Sequence, residues 1–171
     1  MKKLDLQFFA EETVVTETVP GNPVAPEINY ETEIYINTTP SVTTPTWADA
    51  SALTQNMSQS LNEVIAQVSN YAQKGWGQSA VTGAQLTATL TGDSLPGDAA
   101  YEYLTSEAVM YNFGAARQSH LKLVKGTVSI VWPITLANIT KGYGAANGKN
   151  ALTLTVHGNG KPTITDTASD S

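Results

Sequence analysis

The residues of this chain with the clearest capacity for chemistry are two histidines, a run of carboxylates and a few glycine-rich turns. His120 and His157 fall on the polar side of two separate alternating stretches. Neither belongs to an HExxH arrangement, and no acidic pair stands near them at metal-ligand spacing, so both are expected to be solvated. Asp93, Asp98, Glu102 and Glu107 lie close together in sequence around the start of a helical pattern. Capping of the free N–H groups and favourable placement in the helix dipole account for Asp98 and Glu102 without acid–base work. Gly142-Tyr143-Gly144 and Gly158-Asn159-Gly160 have no strand-to-helix setting, no GxxxxGK[ST] loop occurs, and no G-x-S-x-G elbow presents a serine. The expectation is no enzyme, no metal and no cofactor.

Charge points away from nucleic-acid binding as well. Residues 1 to 50 hold eight acids against Lys2 and Lys3, giving −6, whereas residues 51 to 171 hold seven acids and seven bases. A protein that holds DNA neutralises phosphates with a basic surface, and no basic run exists here. Passage of DNA along the surface without stable binding stays open. The chain has no cysteine, so it has neither disulfides nor thiolate metal sites. No apolar run approaches the roughly 20 residues of a membrane-spanning helix. Met1-Lys2-Lys3 mimics the start of an export signal, but Asp5 and Gln7 interrupt the apolar part and Glu11 and Glu12 follow at once.

The elements that must position any site read mainly as strands. Residues 1 to 27 form an extended or flexible N-terminal arm, in which Leu4, Leu6 and Phe8 alternate with Asp5 and Gln7. That start either adds to another sheet edge or has no fixed structure. Pro20, Pro23 and Pro26 then favour an extended linker. From Ile28 to Asn37, Ile28, Tyr30, Thr32, Ile34 and Ile36 point one way, and Glu31 and Glu33 lie on the wet face. Thr38 to Leu61 reads as a long polar inter-strand loop with one short strand near Trp47, beside Asp49. Trp47 either plugs the core or anchors a contact with a neighbour. Asn62 to Gln73 fits a helix stripe and a strand alternation alike, and its β-branched content favours the strand. Val81 to Thr91 reads as one strand with Leu86, Ala88 and Leu90 inward. Turn residues follow, then a helix capped by Asp98 with Ala100, Tyr103, Leu104 and Ala108 in register and Gly114 as its stop.

After the helix, Leu121 and Leu123 lead through a turn at Lys125-Gly126 into Val128, Ile130, Trp132, Ile134 and Leu136, the best hairpin in the chain. Pro133 argues for an edge position or a bulge there. Ala137 to Asn150 is expected to be a flexible loop. Ala151 to His157 is the last strand, and residues 166 to 171 a polar C-terminal tail. Residues 28 to 165 then make a mainly β domain, a sandwich or flattened barrel of six to eight strands with one short α-helix packed on it.

An ordered set of short motifs extends the reading. Asn62-Glu63-Val64, Gly75-Trp76-Gly77, Val81-Thr82-Gly83-Ala84-Gln85-Leu86-Thr87, Leu90-Thr91-Gly92, Gly97-Asp98, Ala137-Asn138-Ile139 and Gly158-Asn159-Gly160-Lys161-Pro162 run in order over residues 28 to 165. Together they resemble the pattern of the major tail tube protein of long-tailed, siphovirus-type phages and prophages of Gram-positive bacteria. Only the connection at Lys125-Gly126 is shorter than that family's usual one. The resemblance implies a structural virion protein, assembled in the host bacterial cytoplasm, whose hexameric rings stack into the tail tube. The partners it implies are further copies of the chain, the tape-measure protein, and tail terminator and baseplate proteins, with DNA passing through during ejection. On this reading Glu31 and Glu33 are candidates for the lumen, and Trp47, Asp49, Leu4, Leu6 and Phe8 for contacts between subunits or rings. A Thr-rich β-sandwich adhesin or cell-surface binding module is the alternative, and it predicts an export signal.

Overall fold

Alternation of apolar and polar residues becomes an antiparallel sheet from Thr32 onward. The computed structural model describes residues 28 to 167. Its strands are β1 (Thr32–Asn37), β2 (Trp47–Asp49), β3 (Thr54–Ser60), β4 (Val64–Ser69), β5 (Gly77–Gly83), β6 (Thr87–Asp93), β7 (Gln118–Lys125), β8 (Val128–Gly142), β9 (Ala151–Gly158) and β10 (Thr163–Asp166). Eight of them form one sheet in the order β2-β1-β7-β8-β9-β6-β3, with β10 also paired to β8, while β4 and β5 form a separate two-stranded sheet.

The two ends of the large sheet are consecutive in sequence, and this dictates its shape. Laid flat, the six strand-to-strand steps from β2 to β3 would span about 29 Å. The connection from Asp49 to Thr54 reaches about 17 Å at most. The sheet must therefore curl until its ends approach, which turns one face inward as a flattened barrel. Ile34 and Ile36 of β1, Ala88 and Leu90 of β6, Leu121 and Leu123 of β7, Ile134 and Leu136 of β8, and Leu152, Leu154 and Val156 of β9 are buried there together. The expected fold class, mainly β with a short helix, is the one observed.

The helix forms where expected and for the expected reason. The Asp98 carboxylate accepts hydrogen bonds from the Ala100 and Tyr101 N–H groups at 2.9 and 3.0 Å, opening α1 (Ala99–Thr105). Ala100 and Leu104 bury completely against the core. One helix up to Gly114 does not form, however. Ser106 takes an extended backbone and its hydroxyl bonds the Tyr103 carbonyl at 2.8 Å, so a second short helix, α2 (Glu107–Met110), begins with its phase reset. Val109, not Ala108, then faces inward. Gly114, with φ 63°, opens a 3₁₀ turn, and the Arg117 guanidinium closes α2 by bonding the Met110 and Asn112 carbonyls.

Four other expectations need correction. The strand from Ile28 starts only at Thr32, because Asn29–Glu31 form a 3₁₀ turn and leave Tyr30 exposed. The polar stretch from Thr38 to Leu61 holds the short strand expected at Trp47, β2, but also β3, which was not expected. Nearly all of β3 is exposed, so its residues have no apolar side for alternation to mark. The single strand from Val81 to Thr91 is two strands in two sheets, separated by residues 84 to 86, and alternating burial begins only at Leu86. Finally, β8 continues to Gly142 through a bulge at Asn138, whose φ is 49°, so the loop after it spans only residues 143 to 150.

Pro133 is neither on an edge strand nor in the bulge. It pairs with His120 of β7, and its carbonyl accepts from the Asn159 N–H on its other side. The two main-chain groups of a strand residue point the same way, so the missing donor faces the break between the end of β9 and the start of β10. Asp166, the first residue assigned to the tail, belongs to β10 and pairs with Val128.

Candidate functional site

Three neighbouring strands bring most of the chain's polar candidates onto one outer face. Glu33 and Tyr35 point outward from β1, Asp49 lies beside Tyr35 on β2, and Lys122 lies beside it on β7. The Tyr35 hydroxyl donates to the Glu33 carboxylate at 2.7 Å. That hydrogen bond raises the Tyr35 hydroxyl above the ordinary tyrosine range, with local desolvation and the negative charges of Glu33 and Asp49 adding to it. The Lys122 ammonium stands 4.4 Å from the centre of the Tyr35 ring and 4.8 Å from that of Trp47. A cation held over two rings ties the three-residue strand β2 to β1 and β7 by more than its few ladder bonds. Trp47 therefore neither plugs the core nor stands free; it clasps Lys122 on the outside.

Glu33, Trp47 and Asp49 thus come together, and Glu31 does not join them. Its carboxylate is exposed on the 3₁₀ turn before β1. Leu4, Leu6 and Phe8 lie outside the described residues. Sequence reading missed Tyr35 and Lys122 as members of this patch, although strict alternation already placed Tyr35 on the face of Glu33.

Beside the patch, Asn37 is buried although alternation turns it outward. Its Oδ1 accepts from the Thr39 N–H at 2.9 Å, which fixes its Nδ2 toward His120 Nδ1 at 3.2 Å. The Ser119 hydroxyl donates to its carbonyl at 2.6 Å. The loop of residues 38 to 46 is folded down by these bonds and by Thr38 to Thr46 pairing. Histidine here serves as an acceptor that holds a loop. His157 lies elsewhere, with Nδ1 3.4 Å from Thr87 Oγ1, which accepts from Asn62 Nδ2 at 2.8 Å. The two histidines never meet, and among the described residues no group of three or more His, Asp and Glu is placed to hold a metal.

The second notable surface is the β4–β5 hairpin. It pairs from Val64–Gly83 to Ser69–Gly77 and joins no other strand. Val64, Ile65, Val68 and Val81 are each more than half exposed, and Trp76 beyond its turn is 81% exposed. The root of the hairpin is firmly set. Asn62, at φ 42°, bonds the Gln85 carbonyl, the Gln85 N–H bonds the Leu61 carbonyl, and the Gln85 side chain reaches the Gly158 carbonyl. The root is pinned while the apolar hairpin it carries is uncovered, and a lone two-stranded hairpin is at best marginally stable in water.

No family model matches the chain, and no curated protein matches its sequence. Solved structures do match its fold. The tail of an empty gene transfer agent particle, computed with C6 symmetry, aligns with a TM-score of 0.63 at 14% identity, over 82% of this chain and 99% of the other. The SPP1 tail tube aligns with a TM-score of 0.61 at 10% identity, over 82% of this chain and 80% of the other. A chain of the PVC sheath–tube complex, from an extracellular contractile injection system, aligns with a TM-score of 0.51 at 9% identity, over 82% and 92%. The fold is that shared by these tail and tube assemblies.

Proposed function

We propose that this chain is the structural subunit of a phage tail tube, of the siphovirus type found in Gram-positive hosts, and that its copies close into six-membered rings which stack into a conduit for DNA. The observation that carries this reading is the β4–β5 hairpin, whose apolar residues stand in water on a pinned root. Burying one Val or Ile side chain stabilises by about 1.5–3 kcal/mol, so Ile65 with Val81 on one face of the hairpin, or Val64 with Val68 on the other, contribute a few kcal/mol when a second copy covers that face. Repetition of that contact around a ring and along a tube makes a polymer. The fold match to tail and tube assemblies supports the role, and the C6 symmetry of the gene transfer agent tail supports six copies per ring.

A tube must let DNA pass without holding it. The described residues carry nine acids and seven bases, so they offer no surplus of positive charge to phosphates. Glu31 and Glu33 are the proposed lumen residues, while Trp47 and Asp49, in the same patch as Glu33, are proposed to meet a neighbouring subunit near the lumen's edge. The tape-measure, terminator and baseplate proteins are the proposed further partners, and the virion tail the proposed location.

Negative-stain electron microscopy of the purified full chain, concentrated stepwise, tests the reading. Rings or tubes with a central channel are expected. A chain that sediments as a monomer at every concentration and shows neither form overturns it.

A further inference from the structure

The loop of residues 38 to 46 hangs on the direction of one side-chain amide. Asn37 is 1% exposed. Its Oδ1 accepts from the Thr39 N–H at 2.9 Å, and the Thr39 hydroxyl, 3.4 Å from the same oxygen, accepts in turn from the Thr46 N–H at 2.9 Å. The two ends of the loop therefore meet at Thr39. A main-chain N–H can only donate, so the amide oxygen faces Thr39 and the amide nitrogen faces His120 Nδ1, at 3.2 Å. That NH2 group can only donate as well. His120 Nδ1 must then be the bare nitrogen of a neutral imidazole.

We infer that this arrangement is an acid-sensitive latch, in which protonation of His120 releases the loop at Thr39. A proton on Nδ1 sets one donor against another. Turning the Asn37 amide over gives the imidazolium its acceptor but points the NH2 group at the Thr39 N–H. Neither orientation serves both partners, and a buried donor left unpaired costs more than a hydrogen bond gains. The loop is the part that yields, because residues 41 to 46 are exposed and no residue from Thr38 to Thr46 is charged. The proton has a way in. His120 is only half-buried and borders, with Pro40, Pro133 and Asn159, a cavity of about 210 Å³.

The charged groups around His120 are few. Lys122 follows two residues on along the same face of β7, with Tyr35 and Glu33 of β1 and Asp49 of β2 gathered around it. From β8 come Pro133 and Thr135 and from the segment after β9 comes Asn159, none of which titrates; Lys161 beyond them is exposed. The latch stands apart from the tube reading, since every group in it belongs to one copy.

The chain has no cysteine, so a single spin label attached through Val42→Cys, at the exposed crest of the loop, reports its motion in the full chain. Imidazole changes charge between about pH 5 and about pH 8, and spectra are compared at those two ends. An immobilised label is expected at the alkaline end and a mobile one at the acid end, reversibly. His120→Gln presents a neutral acceptor at every pH and should remove the acid response, while His157→Gln should leave it intact. Asn37→Asp should reverse it, because a carboxylate accepts from both Thr39 and the imidazolium. Three results overturn the inference: one spectrum at both ends for the chain with His120 in place, the same acid response in His120→Gln, or its loss in His157→Gln. An Asn37→Asp chain that loosens on acidification as its parent does overturns it as well.

Discussion

Single side chains on this barrel act mainly by holding connections in place. Lys122 is the clearest case, because the aromatic rings of Tyr35 and Trp47 both face its ammonium. Lys122→Ala should lower the unfolding free energy by about 1 kcal/mol in urea titrations, the loss of a partly exposed cation–π pair, whereas Lys122→Arg should retain most of it. Tyr103 reports on the interior instead. Its hydroxyl is buried without a hydrogen-bond partner among the described residues. Burial pushes the Tyr103 hydroxyl above the ordinary tyrosine value of about 10, an effect that the nearby Ser119 partly offsets. A raised value in the folded state means that stability is fully present below pH 10 and declines as pH climbs through the folded value. Thermal melts from pH 8 to 11 should show that decline, and Tyr103→Phe should flatten its part of it. An equal alkaline slope in the variant would remove Tyr103 as the source. Alternation in the sequence showed which way Tyr35 and Lys122 point, but not that Trp47 arrives beside them, because β2 is too short to carry a pattern.

At the scale of elements, the closure of the sheet depends on one close approach. A Cβ on Gly92 of β6 would sit 1.7 Å from the Leu53 carbonyl oxygen, inside the connection that joins the two ends of the sheet. Leu53 also accepts from the Asp93 N–H at 3.1 Å, so the backbone cannot withdraw freely. Gly92→Ala should therefore cost about 1–3 kcal/mol or more, read as a lower denaturation midpoint. Gly97→Ala makes a useful comparison, because nothing lies within 4 Å there and only the φ of 92° opposes the change. The helix offers a milder case. Asp98→Ala removes two capping bonds and should cost about 1 kcal/mol while leaving strand content unchanged by circular dichroism. The cap was legible because Asp98 follows a turn and precedes an apolar stripe. The break at Ser106 was not, since nothing in the local spacing marks a serine that turns its hydroxyl back on the helix.

For the molecule as a whole, the proposed assembly and folding make different demands on the hairpin. Val68→Asp together with Val81→Asp places charge on an exposed surface, so the isolated domain should keep its fold by circular dichroism. Rings and tubes should disappear from negative-stain fields, because each new contact would bury carboxylates without partners. Retained polymer would remove the hairpin from the assembly surface. Reversal of Glu31 and Glu33 to Lys should instead permit tubes yet slow DNA release from assembled particles. Normal infectivity would sink their assignment to the lumen. The surplus acidity of the chain lies mostly in its flanks: residues 1 to 27 and 168 to 171 hold six acids and two bases, giving −4 of the total −6. In the proposed tube, passage of DNA without binding therefore rests on local carboxylates rather than on net charge.

The sequence by itself determined the side of each core strand. Leu86, Ala88 and Leu90, then Leu152, Leu154 and Val156, are buried as their period of two requires, and Asp98 caps the helix. Those features depend on neighbours along the chain, where side-chain alternation and backbone donors impose the pattern directly. Only the tertiary structure decided which strands lie side by side. It set β4 and β5 off from the barrel, cut the Val81 to Thr91 run in two, gathered Glu33, Trp47 and Asp49 around Lys122, and left a seam between β1 and β3. Period two records which face of a strand is covered, but it carries no mark of the partner strand, of an open edge, or of an apolar residue left in water.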